Sequence, residues 1–186
     1  MILAEHITQG DQMEVEILAY IAGIVDGEGS IMIQRQCSEA FMAMRASRGC
    51  FHPHYAAAVR IGMLERVALD LIVDHMKVGK IVEEKPYHHK RPMFRWASRR
   101  KEDVLNFLIP LLPYLRVKKK QAELCIKFMN EWVSFNGLRL TPEILAKREN
   151  AWIEMRKLNG VISAPATTKP RGIRGREQSA PYEAIV

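Results

Sequence analysis

Apolar residues recur first with a helical period and then with a strand-like period, and this order repeats along the chain. The first helix is expected to start at Asp11, where Glu14 completes a capping-box-like sequence, and to end at Gly27 and Gly29. Residues 37–53 show no clear period and are expected to form a loop. The other predictions, in chain order, are strands 30–36 and 55–61, helix 64–76, strands 80–85 and 93–99, and helix 101–112.

Two further helices are predicted after this repeat. One spans residues 117–133. The other is expected to start at Thr141, a good capping residue, with Pro142 at the first helical position, and to end near Leu158. Helices interspersed with paired strands are typical of the α+β class, with an antiparallel sheet.

Composition divides the chain into three parts. Residues 161–186 are rich in Pro, Gly, Thr and Arg and are predicted to be a flexible basic tail. Residues 1–10 are predicted to be a flexible leader. Residues 11–160 are expected to form a single domain, because a chain of 186 residues with 48% hydrophobic residues can bury one core.

Charge favours a polyanionic partner such as nucleic acid. The net charge is +7, and residues 85–120 contain eleven basic and two acidic residues. Three scattered cysteines, Cys37, Cys50 and Cys125, argue against a disulfide framework and favour a reducing compartment. The chain shows no secretory leader and no long apolar run. We therefore expect an intracellular protein, cytoplasmic or organellar, that is neither secreted nor in a membrane.

Alternation along the predicted strands creates a polar face suited to DNA. Phe94 and Trp96 alternate with Arg95, so apolar and basic side chains lie on opposite faces. Two-stranded ribbons can enter the major groove, where Gln binds adenine edges and Arg binds guanine edges or phosphates. The sequence leaves these two arginine roles open. The candidate contacts on this face are Met32, Gln34, Gln36, Arg60, Met93 and Arg95.

The end of the first helix combines small residues with two acids. Ala19, Gly23 and Gly27 are four residues apart and form a smooth ridge, which is useful where another backbone approaches closely. Asp26 and Glu28 lie at the helix C-terminus, where the dipole disfavours anions, so a compensating cation such as a metal is expected. A plain helix cap with turn glycines is the structural alternative.

The segment Ile21 to Gly29 resembles the signature motif of the LAGLIDADG homing endonucleases, with Glu28 in the place of the second acid. The motif occurs once, as in the single-motif members that act as homodimers. The resemblance covers residues 14–133 and implies an αββαββα core with an antiparallel DNA-binding sheet, followed here by extra C-terminal helices. It also implies a roughly palindromic DNA site and a dimer interface that includes Ala19, Ala22 and Gly23.

The resemblance further implies an active site. Glu28 would be the catalytic metal ligand, for Mg²⁺ or Mn²⁺, while Asp26 would cap or brace the helix end. The basic segment after the last core strand matches Lys118 best to a catalytic lysine, with Lys120 as the alternative. Lys120 and Arg116 are also candidate DNA contacts. The Gln or Asn that often positions water at the end of the second strand is missing, since residues 61–66 offer neither.

Three functions are compatible with these features. The first is a homodimeric, metal-dependent, site-specific endonuclease that cuts double-stranded DNA. The second is a maturase that binds RNA and assists intron splicing on the same scaffold. The third is a DNA-binding regulator that has lost catalysis. Glu28 favours the endonuclease, because binding alone requires no acid beside a phosphate.

Overall fold

The computed structural model describes residues 9–47, 52–84, 92–131 and 141–160. Six helices and four strands lie within these ranges. In chain order they are α1 (Gln9–Glu28), β1 (Gly29–Gln36), α2 (Glu39–Ala46), β2 (His54–Met63), α3 (Val67–Met76), β3 (Lys80–Glu84), β4 (Met93–Ser98), α4 (Lys101–Leu111), α5 (Lys119–Asn130) and α6 (Pro142–Leu158).

The four strands form one antiparallel sheet in the order β1-β2-β4-β3. Apart from the additional helix α2, elements α1 to α4 follow the predicted order of helix, two strands, helix, two strands and helix. The predicted α+β class, αββαββα core and extra C-terminal helices are therefore confirmed.

The sheet has a covered face and an open face. On the covered face Ile31, Val59 and Trp96 are buried under helices. The ring centroids of Trp96 and of Phe107 in α4 are 4.4 Å apart. Burying these large apolar side chains contributes about 1.5–3 kcal/mol each. Successive side chains alternate between faces, so the open face carries the other set of strand residues, which are polar or small apart from Met32, Met93 and Val82.

Several element boundaries differ from the sequence predictions. Helix α1 starts at Gln9, so Asp11 lies inside the helix rather than at its start. The expected loop at 37–53 contains α2, which Ser38 caps by accepting a hydrogen bond from the N–H of Phe41 at 3.4 Å. Helix α5 starts only at Lys119, because the preceding segment is bonded to the end of α1.

The C-terminal helix α6 forms as predicted. Thr141 accepts a hydrogen bond from the N–H of Ile144 at 3.4 Å, and Pro142 occupies the first helical position. Residues 1–8, most of the predicted basic turn at 86–92 and the tail at 161–186 lie outside the described residues, whereas positions 9 and 10 belong to α1. No helix in the described ranges combines the length and apolarity needed to cross a membrane.

Candidate active site and nucleic-acid interface

Helix α1 leads into strand β1 without a connecting loop. Glu28 is the last helical residue and Gly29 the first residue of the strand. Gly29 is buried, and a Cβ atom there would lie 2.5 Å from the carbonyl oxygen of Val25. This tight junction leaves the Glu28 side chain exposed, with no hydrogen-bond or ion-pair partner among the described residues. An exposed carboxylate of this kind is free to bind a hard cation.

Asp26, one turn before the strand, anchors the segment that precedes α5. Its carboxylate accepts three backbone N–H bonds, from Arg116 at 2.7 Å, Val117 at 3.1 Å and Lys118 at 2.8 Å. Burial alone would raise the pKa of Asp26, but these three hydrogen bonds and the charge of Lys118 outweigh it and hold that pKa below 3.8. Asp26 therefore braces the helix end, as the sequence suggested.

Lys118 lies at the same end of α1. Its Nζ atom donates to the carbonyl oxygen of Val25 at 3.0 Å and to that of Asp26. These are free carbonyls of the last helical turn, where a cation is favourable. A lysine ammonium has three N–H donors, so these bonds leave one for another acceptor. The half-buried Lys118 and the exposed Glu28 thus belong to one structural unit at the α1–β1 junction.

The two other basic candidates of this segment point to solvent. Arg116 and Lys120 are exposed on either side of Lys118. They are not strand residues. They would therefore contact DNA near the helix end rather than through the sheet face.

The open face of the sheet contains all the strand residues that the sequence proposed for DNA contact. Pairing places Ser30 opposite Arg60, and Gly62 opposite Arg95. Gln36 is exposed, whereas the half-buried Gln34 directs its Nε2 atom to the sulfur of Met32 at 3.2 Å. The candidates sharing this face are Met32, Gln34, Gln36, Arg60, Met93 and Arg95.

Positive charges on this face influence one another. Burial lowers the pKa of Arg60, and the charges of Arg99 and Arg95 lower it further, while the carboxylate of Glu84 partly opposes them. Arg95 is paired with Glu84, with 2.5 Å between Nη1 and Oε1. These arginines therefore have an acidic neighbour, Glu84, which was not among the residues predicted for this face.

Strand β3 supplies most of the open-face residues that were missed. Lys80, Val82 and Glu84 alternate toward the open face, where Val82 lies opposite Arg95 and is 60% exposed. His54 lies opposite Gln36 at the far end of β2. The period-two pattern of residues 80–84 would have identified the β3 positions, because it needs no knowledge of the pairing.

The small-residue ridge of α1 is open to solvent. Ala19, Gly23 and Gly27 are exposed, and a Cβ atom at either glycine would meet nothing within 4 Å. Ala22 is different, because it is 0% exposed and packs in the core of its own chain. The placement of Ala22 in a dimer interface is therefore corrected: the helix turns its side chain away from the ridge.

The described residues of one chain do not form a complete metal site by themselves. Of the residues that the structure describes, no group of three or more His, Cys, Asp or Glu side chains could hold a metal ion. Glu28 provides a single hard oxygen donor group, which fits Mg²⁺ or Mn²⁺ only as one ligand among several. Further ligands would have to come from outside the described residues.

Comparison with known proteins relates this geometry to a family. No protein-family model matches the chain. DNA endonuclease I-CreI of Chlamydomonas reinhardtii is 28% identical to it over 116 residues, which are 62% of this chain and 64% of that protein. The chain thus matches slightly less than two thirds of the length of this relative.

Two solved structures share the fold. The homing endonuclease I-CvuI, bound to the I-CreI target in 2 mM Mg with the DNA not cleaved, has a TM-score of 0.59 at 18% identity, covering 84% of this chain and 88% of that one. The LAGLIDADG homing endonuclease I-SmaMI, bound to cleaved DNA, has a TM-score of 0.56 at 18% identity, covering 75% and 44%. The chain thus resembles LAGLIDADG homing endonucleases in its motif, is similar in sequence to I-CreI over 62% of its length, and shares the fold of the solved homing endonucleases.

Proposed function

We propose that the protein is a site-specific endonuclease that hydrolyses phosphodiester bonds in double-stranded DNA as a homodimer. The observation that carries this proposal is the α1–β1 junction, where an exposed Glu28 and a Lys118 bound to the same helix end lie at the start of a strand of the sheet. A binding protein needs the basic face, but it has no use for an acid next to a phosphate.

The open face would bind the DNA. Arg60 and Arg95 provide charge for phosphates or guanine edges, and Gln34 and Gln36 suit adenine edges. Val82, which is 60% exposed, would contact a thymine methyl group. Arg116 and Lys120 would bind the backbone near the helix end. The combination of charge and base-reading side chains supports recognition of a particular sequence rather than uniform binding.

The chemistry would be centred on the junction. Glu28 would hold a divalent cation together with the DNA and a second chain, and that cation supplies charge stabilisation and an activated water. Lys118 would use its remaining N–H to stabilise negative charge that develops on the scissile phosphate. Asp26 keeps Lys118 in place through the three backbone bonds.

A second copy would complete the site. One Glu28 per chain is insufficient for a metal centre, whereas two copies that meet along the exposed ridge of Ala19 and Gly23 would bring two Glu28 carboxylates near one axis. A two-fold dimer reads two related half-sites, so the target would be roughly palindromic.

The test is cleavage of a plasmid library carrying random target sequences, in Mg²⁺, by the wild type, Glu28→Gln and Glu123→Gln. Glu123 is an exposed glutamate on α5 and serves as the matched control. We expect site-specific cuts by the wild type and the control, and none by Glu28→Gln. Equal cutting by all three proteins would refute the assignment of Glu28.

A second readout separates the alternatives. Binding of duplex DNA without any cutting, even by the wild type, would favour a DNA-binding regulator. Preference for structured RNA over duplex DNA, unaffected by Glu28→Gln, would favour a maturase.

A further inference from the structure

The ion pair between Arg95 and Glu84 is the most unusual feature of the open face. The two residues lie on neighbouring strands, where Arg95 follows Phe94 in β4 and Glu84 ends β3, and their side chains meet at 2.5 Å. Both remain partly accessible, with 39% of the Arg95 side chain and 33% of the Glu84 side chain exposed. The pair is therefore within reach of a ligand on this face.

Glu84 is the one acidic residue among the described strand residues of the open face, whereas Lys80, Arg60 and Arg95 are basic. It also acts beyond its direct partner, because its carboxylate opposes the effect of Arg99 and Arg95 on Arg60. A surface selected only to attract phosphates would have no such group in contact with one of its arginines.

We propose that Glu84 is a specificity-determining residue that restrains Arg95 and so weakens sequence-independent binding of DNA. This inference rests on the proposed function, because it concerns the face that would bind DNA. A phosphate that approaches Arg95 must displace the carboxylate and then lies beside a negative charge. A base edge with an exposed amine, such as that of cytosine, instead gives Glu84 a donor.

The chain provides a matched control. Glu83 carries the same charge one position earlier on β3, but alternation places it on the other side of the sheet, opposite Phe94. Glu83→Gln and Glu84→Gln therefore change the net charge equally and differ in the face that they alter.

The experiment measures binding of the full chain to a fluorescent duplex of random sequence, between 0.05 and 0.3 M salt, without divalent metal. Each phosphate contact steepens the dependence of log K on log salt by about 0.9. We expect Glu84→Gln to bind about 5- to 10-fold more tightly at about 0.1 M salt with a slope steeper by about 0.9. Glu83→Gln should stay within about twofold of the wild type. In an Arg95→Ala background, Glu84→Gln should lose its effect.

Each other result overturns the inference. Equal tightening by both glutamine variants would show a bulk charge effect, and no change in Glu84→Gln would show that Arg95 is not restrained. Tightening that persists without Arg95 would show that Glu84 acts independently of it. If the wild type binds no duplex at any salt concentration, the proposed function fails as well, and that outcome is distinct from the others.

Discussion

Lys118 bonds to Asp26 with both its backbone and its side chain, across 92 residues of sequence. The backbone N–H donates to the Asp26 carboxylate at 2.8 Å, and Nζ donates to the Asp26 carbonyl oxygen. One bond reaches the side chain of Asp26 and the other its backbone carbonyl. Together they fix the start of α5 on the last turn of α1. The placement of Lys118 relative to Glu28 therefore depends on Asp26.

Replacing Asp26 with Asn should destabilise the fold and slow cleavage. The two carboxylate oxygens serve three N–H donors, and an amide has only one oxygen, so its NH₂ group would face a donor in either orientation. Loss of such hydrogen bonds costs about 1–3 kcal/mol of unfolding free energy. Urea denaturation of the wild type and of Asp26→Asn measures this difference in unfolding free energy. As a control, Asp70→Asn breaks an exposed ion pair with Arg66 and should cost less than about 1 kcal/mol.

The same carboxylate predicts an acid-dependent loss of stability. The pKa of Asp26 is lowered in the folded chain from an ordinary value of 3.8, so folding is favoured by its charged form. This contribution is fully present above about pH 3.8 and is lost as the pH falls through the lower folded-state pKa. The difference in urea midpoint between the wild type and Asp26→Asn should therefore shrink below about pH 4. A difference that stays constant down to pH 2 would contradict the charge-based account.

Lys118→Met should reduce cleavage strongly while leaving the fold intact. Methionine keeps the apolar stem and removes the ammonium, so we expect a fall of about 10²–10³-fold in single-turnover rate, typical of a lost electrostatic stabiliser. Lys119→Met and Lys120→Met are matched controls on the neighbouring exposed lysines and should lose less than about tenfold. Rate loss confined to Lys120→Met would transfer the catalytic role to Lys120.

The alternation of residues along each strand was enough to predict which side chains lie on the open face of the sheet. Alternation is a property of each strand by itself, so Gln34, Arg60 and Arg95 could be assigned to one face without knowing which strands pair. Their ion pairing could not be predicted, because the meeting of Arg95 with Glu84 depends on the register between β3 and β4.

The geometry of the α1–β1 junction was only partly predictable. Two acids at a helix C-terminus indicated that a cation was needed, yet the structure places the ammonium of Lys118 on the helix carbonyls and three backbone N–H groups on Asp26. Contacts across some 90 residues leave no periodic signal. Similarly, the small size of Ala22 could not show that its side chain turns toward its own core rather than toward a second copy.

Ala19→Leu should weaken dimerisation without unfolding the chain. Ala19 is exposed on the ridge next to Gly23, so a larger side chain is accommodated in one copy but would separate two helices packed closely along that ridge. Ala146→Leu makes the same change at an exposed position of α6. Sedimentation equilibrium should show a dissociation constant at least about tenfold higher for Ala19→Leu alone, which is about 1.4 kcal/mol. Equal constants for both variants would exclude this ridge from the interface.

The Tyr55 hydroxyl should stabilise the packing of α6 on the sheet, and this contribution should be lost at alkaline pH. Its hydroxyl donates to Glu149, which also pairs with Arg35 at 3.1 Å, and the Arg35 guanidinium lies 5.3 Å from the ring centre of Trp152. Tyr55→Phe removes the hydroxyl while keeping the buried ring, and a hydrogen bond to a charged group contributes about 1.5–3 kcal/mol. The unfolding free energy at pH 8 should fall by roughly that amount.

The pH profile distinguishes this bond from simple packing. Burial and the Glu149 carboxylate raise the pKa of Tyr55 from 10.0 to about 12, against the opposing effect of Arg35. A raised folded-state pKa means that the contribution is fully present below about pH 10 and is lost as the pH rises through about 12. The gap in urea midpoint between the wild type and Tyr55→Phe should thus stay constant from pH 7 to 9.5 and close above pH 10. Tyr114→Phe, at a half-buried tyrosine, is the control and should show little loss at any pH. If the gap persists unchanged at pH 11.5, the ring rather than the hydroxyl accounts for the contribution of Tyr55.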